Sequence, residues 1–348
     1  LDQVVLLPIH CGSEDDALTI FETINNRGMS LTDADIFKAK LHKVSLNDKD
    51  SFIRKWNALE NHEWLFRVYM HILRAKENDT NKESALRTYF SSKERLKDWK
   101  PVMNSLSLIH DVDFNWQSTD KAEILWQILT TYPNYYWYFP LFVYLHKYGS
   151  LTETGFVLNG EYSKNFDTLI ESTFRYFFLK GVVHNSVNAV KDTVFKVCTS
   201  IENGGDFISD YQKNIGDDYL EFKRKVQNKQ YGRYLNGLVL ITAYLNPKQD
   251  HSVFKKVVKN NYHIEHILPK KWNNYDKWTN ETWEQDINSL GNLTPLEWNL
   301  NISAKNEFFS KKKESYKKSE IQEAQDLMSL YDWHPSDFEL RHSESQRR

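Results

Sequence analysis

Helical periodicity over most of its length is the feature that most limits how this chain of 348 residues can fold. Between residues 50 and 250, apolar side chains recur at every third or fourth position. One such stripe comprises Phe166, Leu169, Ile170, Phe174, Phe177 and Phe178. Alternating strand patterns are almost absent from the same region. Thr32 and Thr119 each occupy a position that is typical of a helix N-cap. We therefore predict a mainly α protein with a multi-helix domain in its middle.

Composition places the chain among folded proteins and excludes some classes of site. Hydrophobic residues make up 40% and aromatic residues 14% of the sequence, which is enough for substantial cores. No apolar run approaches the roughly 18 residues that a membrane helix needs, so we predict no membrane span. Cys11 and Cys198 lie far apart without metal-binding spacing, which argues against a disulfide framework and a cysteine zinc site and predicts a reducing, cytoplasmic location.

The stretch from Tyr262 onward interrupts the helical pattern and carries the residues most suited to chemistry. Polar and apolar residues alternate through Glu265 and His266, and Pro269 ends the predicted strand soon afterwards. A loop rich in Gly, Asn, Thr and Pro follows, and a helix is predicted from Asn301. The polar break at residues 246–250 marks a predicted domain boundary, giving a helical linker or substrate-recognition domain at 46–250 and a C-terminal domain at 251–348. The last residues, 343–348, are expected to fray.

Local clusters of lysine bracket the Glu265–His266 pair, although the formal net charge of −2 predicts no global attraction to nucleic acid. One cluster comprises Lys255, Lys256, Lys259, Lys270, Lys271 and Lys277. A second cluster comprises Lys305, Lys311, Lys312, Lys313, Lys317 and Lys318. Taken singly, such lysines are usually solvated. The residues we predict to contact DNA phosphates are Lys270, Lys271, Lys305, Lys311, Lys312 and Lys313.

The C-terminal motifs resemble the GmrSD-type modification-dependent restriction endonucleases. The resemblance rests on Glu265-His266-Ile-Leu-Pro, on Leu290-Gly-Asn-Leu-Thr, and on the later Asn301 with its Lys-rich helix. It implies a C-terminal ββα-metal unit of the His-Asn-His nuclease type. Residues 21–35 resemble the closing segment of the family's ParB-like nucleotide-linked domain, so residues 1–45 are predicted to be a remnant of that domain. The family's Asp-Gly-Gln-Gln-Arg motif is absent from the chain.

The resemblance also implies roles for individual residues. His266 would be the base that activates water, and Asn292 the middle motif residue that bonds backbone across the loop. Glu265 and Asn301 would bind one hard cation, Mg²⁺ or Mn²⁺, through oxygen. In a regular strand, however, Glu265 shares a face with His263 rather than with His266. His263 is therefore the alternative partner, and it otherwise has a packing or orienting role.

The implied activity is cleavage of double-stranded DNA from phage, with chemically modified DNA as one option, and the sequence leaves a homodimer open. Two other functions remain as alternatives. The chain would be a nuclease-inactive DNA-binding or scaffold subunit if it binds DNA without cutting it. It would be a nucleotide-regulated switch module if the helical middle relays a signal from the ParB-like domain.

Overall fold

The computed structural model describes residues 10–13, 16, 20, 31–112, 118–158, 160–271, 278, 283–284 and 286–347. Lys277 and most of the ParB-like segment, residues 21–30, lie outside these described residues. The chain divides into two compact units, one of Leu1–Arg74 with Lys82–Val112 and one of Ala75–Asn81 with Asp113–Arg348. The domain boundaries predicted after residues 45 and 250 stay predictions.

The first unit is helical throughout its described part. Its helices are α1 (Asp33–Val44), α2 (Lys49–Asn57), α3 (His62–Lys76, of which the last two residues belong to the second unit), α4 (Leu86–Ser91) and α5 (Trp99–Asp111). Helix α1 begins with the predicted cap, because the backbone N–H of Asp35 donates to Thr32 Oγ1 at 3.2 Å. Aromatic rings fill the core, with Phe37 packing 4.7 Å from Phe66 and 5.2 Å from Phe90 between ring centroids.

The second unit contains most of the remaining helices and both described sheets. Its helices before the candidate site are α6 (Asp120–Leu129), α7 (Tyr138–Tyr148), α8 (Gly160–His184), α9 (Asn188–Asn203), α10 (Phe207–Lys213), α11 (Asp218–Gln227), α12 (Leu235–Tyr244) and α13 (His251–Asn260). The predicted stripe of α8 is buried, with Phe166, Leu169 and Phe177 almost fully enclosed. The backbone N–H of Ala122 donates to Thr119 Oγ1 at 3.1 Å, which confirms the second predicted cap. The mainly α fold is thus confirmed.

A small hairpin within the helical region was not predicted from the sequence. Strands β1 (Gly149–Thr152) and β2 (Gly155–Leu158) pair antiparallel. Gly155 adopts a φ of 114°, a conformation that L residues rarely take, so a glycine is needed where the chain reverses. The strands are too short to show a clear alternating pattern, which is why no strand was predicted here.

The C-terminal part of this unit surrounds a second two-stranded sheet. Strand β3 (Tyr262–His266) pairs antiparallel with β4 (Leu293–Glu297), which follows the 3₁₀ turn Leu290–Asn292. The helices that follow are α14 (Trp298–Ala304), α15 (Phe309–Tyr316), α16 (Gln322–Asp326) and α17 (Pro335–Arg347). Helices α12 and α16 pack against β4, α14 packs against β3, and α17 packs against the 3₁₀ turn.

The polar C-terminal stretch differs from its prediction. Residues 343–347 continue helix α17 and do not fray, and Ser345 is buried. The reason lies earlier in the helix, where Phe338 and His342 are buried against the rest of the unit. Among the helices of the described ranges, none combines the length and apolarity that crossing a bilayer requires.

Candidate active site

Two antiparallel strands form the base of the candidate site. The register of β3 and β4 places His266 opposite Leu293. The pairing continues one residue further, because the backbone N–H of Ile267 donates to the Asn292 carbonyl at 2.9 Å. His266 is the last residue of β3, and the chain leaves the sheet directly after this additional hydrogen bond.

Asn292 fixes the loop that follows β3. Its Oδ1 accepts from the backbone N–H of Leu268 at 2.8 Å, and its Nδ2 donates to the carbonyls of Leu268 and Ile287, both at 3.1 Å. The side chain is only 1% exposed, so these bonds satisfy its polar atoms without solvent. This is the bonding across the loop that was expected for the middle motif residue.

Helix α17 holds the 3₁₀ turn Leu290–Asn292, which contains Asn292 itself. The Nη1 atom of Arg341 donates to three carbonyls, those of Leu290 at 3.0 Å, Gly291 at 2.9 Å and Leu293 at 2.8 Å. Its Nη2 donates to the buried carboxylate of Glu323 at 2.8 Å. A Cβ at Gly291 would lie 2.6 Å from the Phe338 ring, so glycine allows the helix to approach this closely. Arg341 thus clamps this turn, and the side chain of Asn292 ties the turn to the loop that follows β3.

Glu265 is buried and already bound by side chains of α15. Its Oε1 accepts from Lys312 Nζ at 2.6 Å and from the Tyr316 hydroxyl at 3.1 Å. Lys312 Nζ also donates to the backbone carbonyl of His266 at 2.5 Å. The side chains of Glu265 and Lys312 are 6% and 1% exposed, so solvent hardly screens this ion pair.

Burial and pairing act in opposite directions on this pair. Burial raises the pKa of Glu265, and the neighbouring Lys312 opposes that rise. Burial likewise lowers the pKa of Lys312, and Glu265 opposes that fall. Either charge alone would therefore be strongly disfavoured here, which makes each residue the condition for the other to be ionised.

His266 has a different environment and a polar partner of its own. Its Nε2 lies 3.0 Å from Asn288 Oδ1. Because an amide oxygen only accepts, Nε2 carries the proton in this contact, and Nδ1 is the nitrogen that can accept one. Burial is the main cause that lowers the pKa of His266, with Asn288 opposing it. The imidazole is consequently neutral at physiological pH.

Asn301 contacts the alternative histidine. Its Nδ2 donates to Nδ1 of His263 at 3.2 Å, from the first turns of α14. Its Oδ1 is buried and has no hydrogen-bond partner among the residues that the structure describes. A buried acceptor without a donor is costly unless a ligand, water or ion meets it. The structure thus gives Glu265, His266 and Asn301 three different sets of partners.

The lysines predicted to bind DNA fall into two groups. Lys270, Lys271, Lys305 and Lys311 are exposed, and Lys311 pairs with Glu307 at 3.1 Å. Lys312 differs from its prediction, because its buried ammonium faces Glu265 and is not available to a phosphate. Lys313 Nζ donates to the Leu330 carbonyl at 2.6 Å, which also draws it away from solvent.

Part of the first lysine cluster is neutralised within the protein. Lys255 pairs with Asp120 at 2.5 Å, and Lys259 binds the buried carboxylate of Glu123. These bonds join α13 to α6. The exposed positive charge nearest in sequence to the site therefore comes from Lys270 and Lys271.

The donors fit the implied divalent cation only in part. Asn301 Oδ1 fits, because it is a buried oxygen without a partner. Glu265 fits less well as it is arranged, because an ammonium and a hydroxyl hold its Oε1 and the ammonium would repel a second cation at the same carboxylate. Across the described ranges, no group of three or more His, Cys, Asp and Glu side chains could hold a metal ion.

The contacts that hold Glu265, His266 and the neighbouring turn in place were not predicted from the sequence. Phe309, Lys312 and Tyr316 recur at helical spacing, so a signal was present: a lysine on an apolar helix face requires a buried counter-ion. Arg341 and Asn288 carry no such signal, because their partners are backbone or side-chain atoms far away in sequence.

Comparison with known proteins identifies the region that contains the site. Residues 216–344 match the family model of the GmrSD restriction endonucleases, C-terminal domain. The match includes β3, β4, helices α11 to α16 and all but the last three residues of α17. A comparison with curated proteins found no match.

Proposed function

Because its residues 216–344 belong to the GmrSD restriction endonuclease family, we propose that the chain is a DNA endonuclease of a phage-defence restriction system. The substrate is double-stranded phage DNA, chemically modified in the type IV manner, and the enzyme acts in the cytoplasm. His266 is the general base. Cleavage requires a divalent cation, Mg²⁺ or Mn²⁺.

The position of His266 carries this proposal. Its imidazole stands at the end of β3, and Asn288 holds the proton on Nε2, which leaves Nδ1 as the acceptor. Hydrolysis of a phosphodiester requires a base that removes a proton from the attacking water. A neutral imidazole with one nitrogen oriented by an amide is suited to that step.

The surrounding groups hold His266 in position and do not take part in proton transfer. Asn292 and Arg341 hold the turn that faces the end of β3, and Lys312 holds the carbonyl of His266. A bound divalent cation would stabilise the negative charge that develops on the phosphate. Asn301 Oδ1 is the protein donor we assign to it. Lys270 and Lys271 supply positive charge to the DNA backbone.

A cleavage assay tests the proposal. Modified and unmodified phage DNA are incubated with the chain in Mg²⁺, Mn²⁺ or chelator, with the variant His266→Ala beside the wild-type protein. We expect metal-dependent products from the wild-type protein and none from the variant. Cutting by the variant at the wild-type rate would show that His266 is not the base.

A second candidate function is favoured by one observation. The carboxylate of Glu265 is bound by Lys312, so a DNA-binding subunit that does not cut would keep the same arrangement. Such a subunit would bind DNA with a strong salt dependence and release no product in any metal. The same assay, combined with a DNA-binding titration, separates the two functions.

A further inference from the structure

The buried contact between Glu265 and Lys312 bears on which residue binds the cation. Lys312 Nζ bridges two acceptors, Glu265 Oε1 at 2.6 Å and the His266 carbonyl at 2.5 Å. The Tyr316 hydroxyl occupies the same carboxylate oxygen at 3.1 Å. One ammonium therefore connects the carboxylate to the main chain of the proposed base.

A second cation at this carboxylate would meet an unfavourable environment. A divalent ion bound to Glu265 would lie close to the Lys312 ammonium, and like charges in a poorly solvated site repel strongly. Lys312 has little room to withdraw, because its side chain is 1% exposed on the buried face of α15. The position that a cation would need at Glu265 Oε1 is already taken by a positive charge of the protein.

We propose that Glu265 serves as the buried counter-ion of Lys312 and not as a ligand of the catalytic cation. Lys312 is then a positioning residue, which fixes the backbone at His266 through its carbonyl. The inference deepens the proposed function and rests on it for the role of His266. Glu265 then affects catalysis only by holding Lys312, which in turn holds the backbone at His266.

If one residue acts only through the other, the effects of the two substitutions on the cleavage rate are not additive. If Glu265 works only through Lys312, Glu265→Gln lowers the cleavage rate in the wild-type protein but has no further effect once Lys312 is methionine. If Glu265 binds the cation directly, Glu265→Gln lowers the rate in both backgrounds. It also raises the Mn²⁺ concentration that gives half-maximal cleavage.

The experiment compares Glu265→Gln, Lys312→Met, the double variant and the control Lys164→Met on α8, whose lysine is exposed and lies outside both lysine clusters. The measured quantities are kcat, the DNA dissociation constant, the half-maximal Mn²⁺ concentration and Tm. We expect each single variant at the pair to lose about 10- to 100-fold in kcat, because the base is misplaced. The double variant should match Lys312→Met in kcat.

The other measurements separate positioning from general destabilisation. DNA affinity should stay unchanged in all four variants if Lys312 lies away from DNA, and the Mn²⁺ requirement should stay unchanged if Glu265 is not a ligand. Each single variant should lose several degrees in Tm because it leaves one charge buried and unpaired, whereas the double variant should regain most of that loss. Lys164→Met should leave kcat and Tm as in the wild-type protein.

Two results would overturn the proposal. One is a tenfold or larger rise in the Mn²⁺ requirement on adding Glu265→Gln to Lys312→Met. The other is a Tm of the double variant that equals the sum of the two single losses. If the wild-type protein does not cleave DNA, the proposed function fails, whereas the Tm comparison still decides whether Glu265 and Lys312 form an interdependent pair.

Discussion

Asn292 and Leu268 exchange two hydrogen bonds, one from the Leu268 N–H to the Asn292 side-chain oxygen and one from the Asn292 amide to the Leu268 carbonyl. A side chain here imitates a backbone partner and replaces the strand pairing that ends one residue earlier. This contact holds the chain just beyond His266 in one conformation.

Asn292→Ala should destabilise the protein by about 2 to 4 kcal/mol, because it leaves buried backbone groups at Leu268 and Ile287 without partners. Denaturant unfolding followed by circular dichroism measures the loss. Asn299→Ala, at an exposed position of α14, is the control and should change stability by less than about 0.5 kcal/mol. Equal stability of the two variants would mean that these hydrogen bonds contribute nothing net.

Comparing His266→Ala with His263→Ala distinguishes the two histidines that the sequence left open. Removing the general base should lower kcat by at least about 100-fold. We expect this loss for His266→Ala, with DNA affinity and Tm near the wild-type values. His263→Ala should retain most of the rate, because His263 is exposed and its contact is with Nδ2 of Asn301, whereas Oδ1 is the atom assigned to the cation. The reverse order of effects would assign the base to His263.

Stability should fall in mild acid because of His146. Burial, assisted by Lys76, lowers the pKa of His146 from 6.5 to about 4. The folded state then binds fewer protons than the unfolded chain between these values, so stability is complete above about pH 6.5 and declines as the pH falls toward 4. The decline from this group should reach about 2 kcal/mol at pH 5.

His146→Leu provides the measurement for that decline. Free energies of unfolding at pH 7 and pH 5 should differ less in this variant than in the wild-type protein. Asn299→Ala, which changes an exposed side chain without an ionisable group, should keep the wild-type difference. If His146→Leu keeps it as well, another group controls the acid response.

The two exposed lysines that follow β3 should contribute to DNA binding. Replacing Lys270 and Lys271 together by Gln should weaken binding and reduce the slope of log K against log salt by about 1 to 2, because two exposed phosphate contacts are lost. Lys164→Gln on α8, also exposed, serves as the control. Binding is titrated at several salt concentrations, and an unchanged slope would exclude both lysines from the DNA surface.

The sequence was informative where a local rule governs the structure. Periodicity predicted the helical middle, and the caps at Thr32 and Thr119 are present as expected. The motif also predicted that the Asn292 side chain bonds backbone across the loop. Each of these features depends on residues close in sequence or on a spacing that is itself diagnostic.

Features that depend on tertiary contacts were not predictable in this way. Lys311, Lys312 and Lys313 look alike in sequence, yet successive helix positions point about 100° apart, and of the three only Lys312 is buried. The clamp from Arg341 to the turn joins residues about 50 positions apart. The partners of Glu265 lie on a helix beyond the next strand, so no pattern around Glu265 reveals them.

The order of these contacts along the chain has a consequence for biosynthesis. Lys312 and Tyr316 follow Glu265 by 47 and 51 residues, so β3 leaves the ribosome well before the groups that neutralise its carboxylate. Until α15 has been translated and has docked, Glu265 remains a solvated anion and the backbone at His266 has no anchor. Under the proposed function, we therefore expect a nascent chain to be unable to cut DNA until α15 has been translated and has docked.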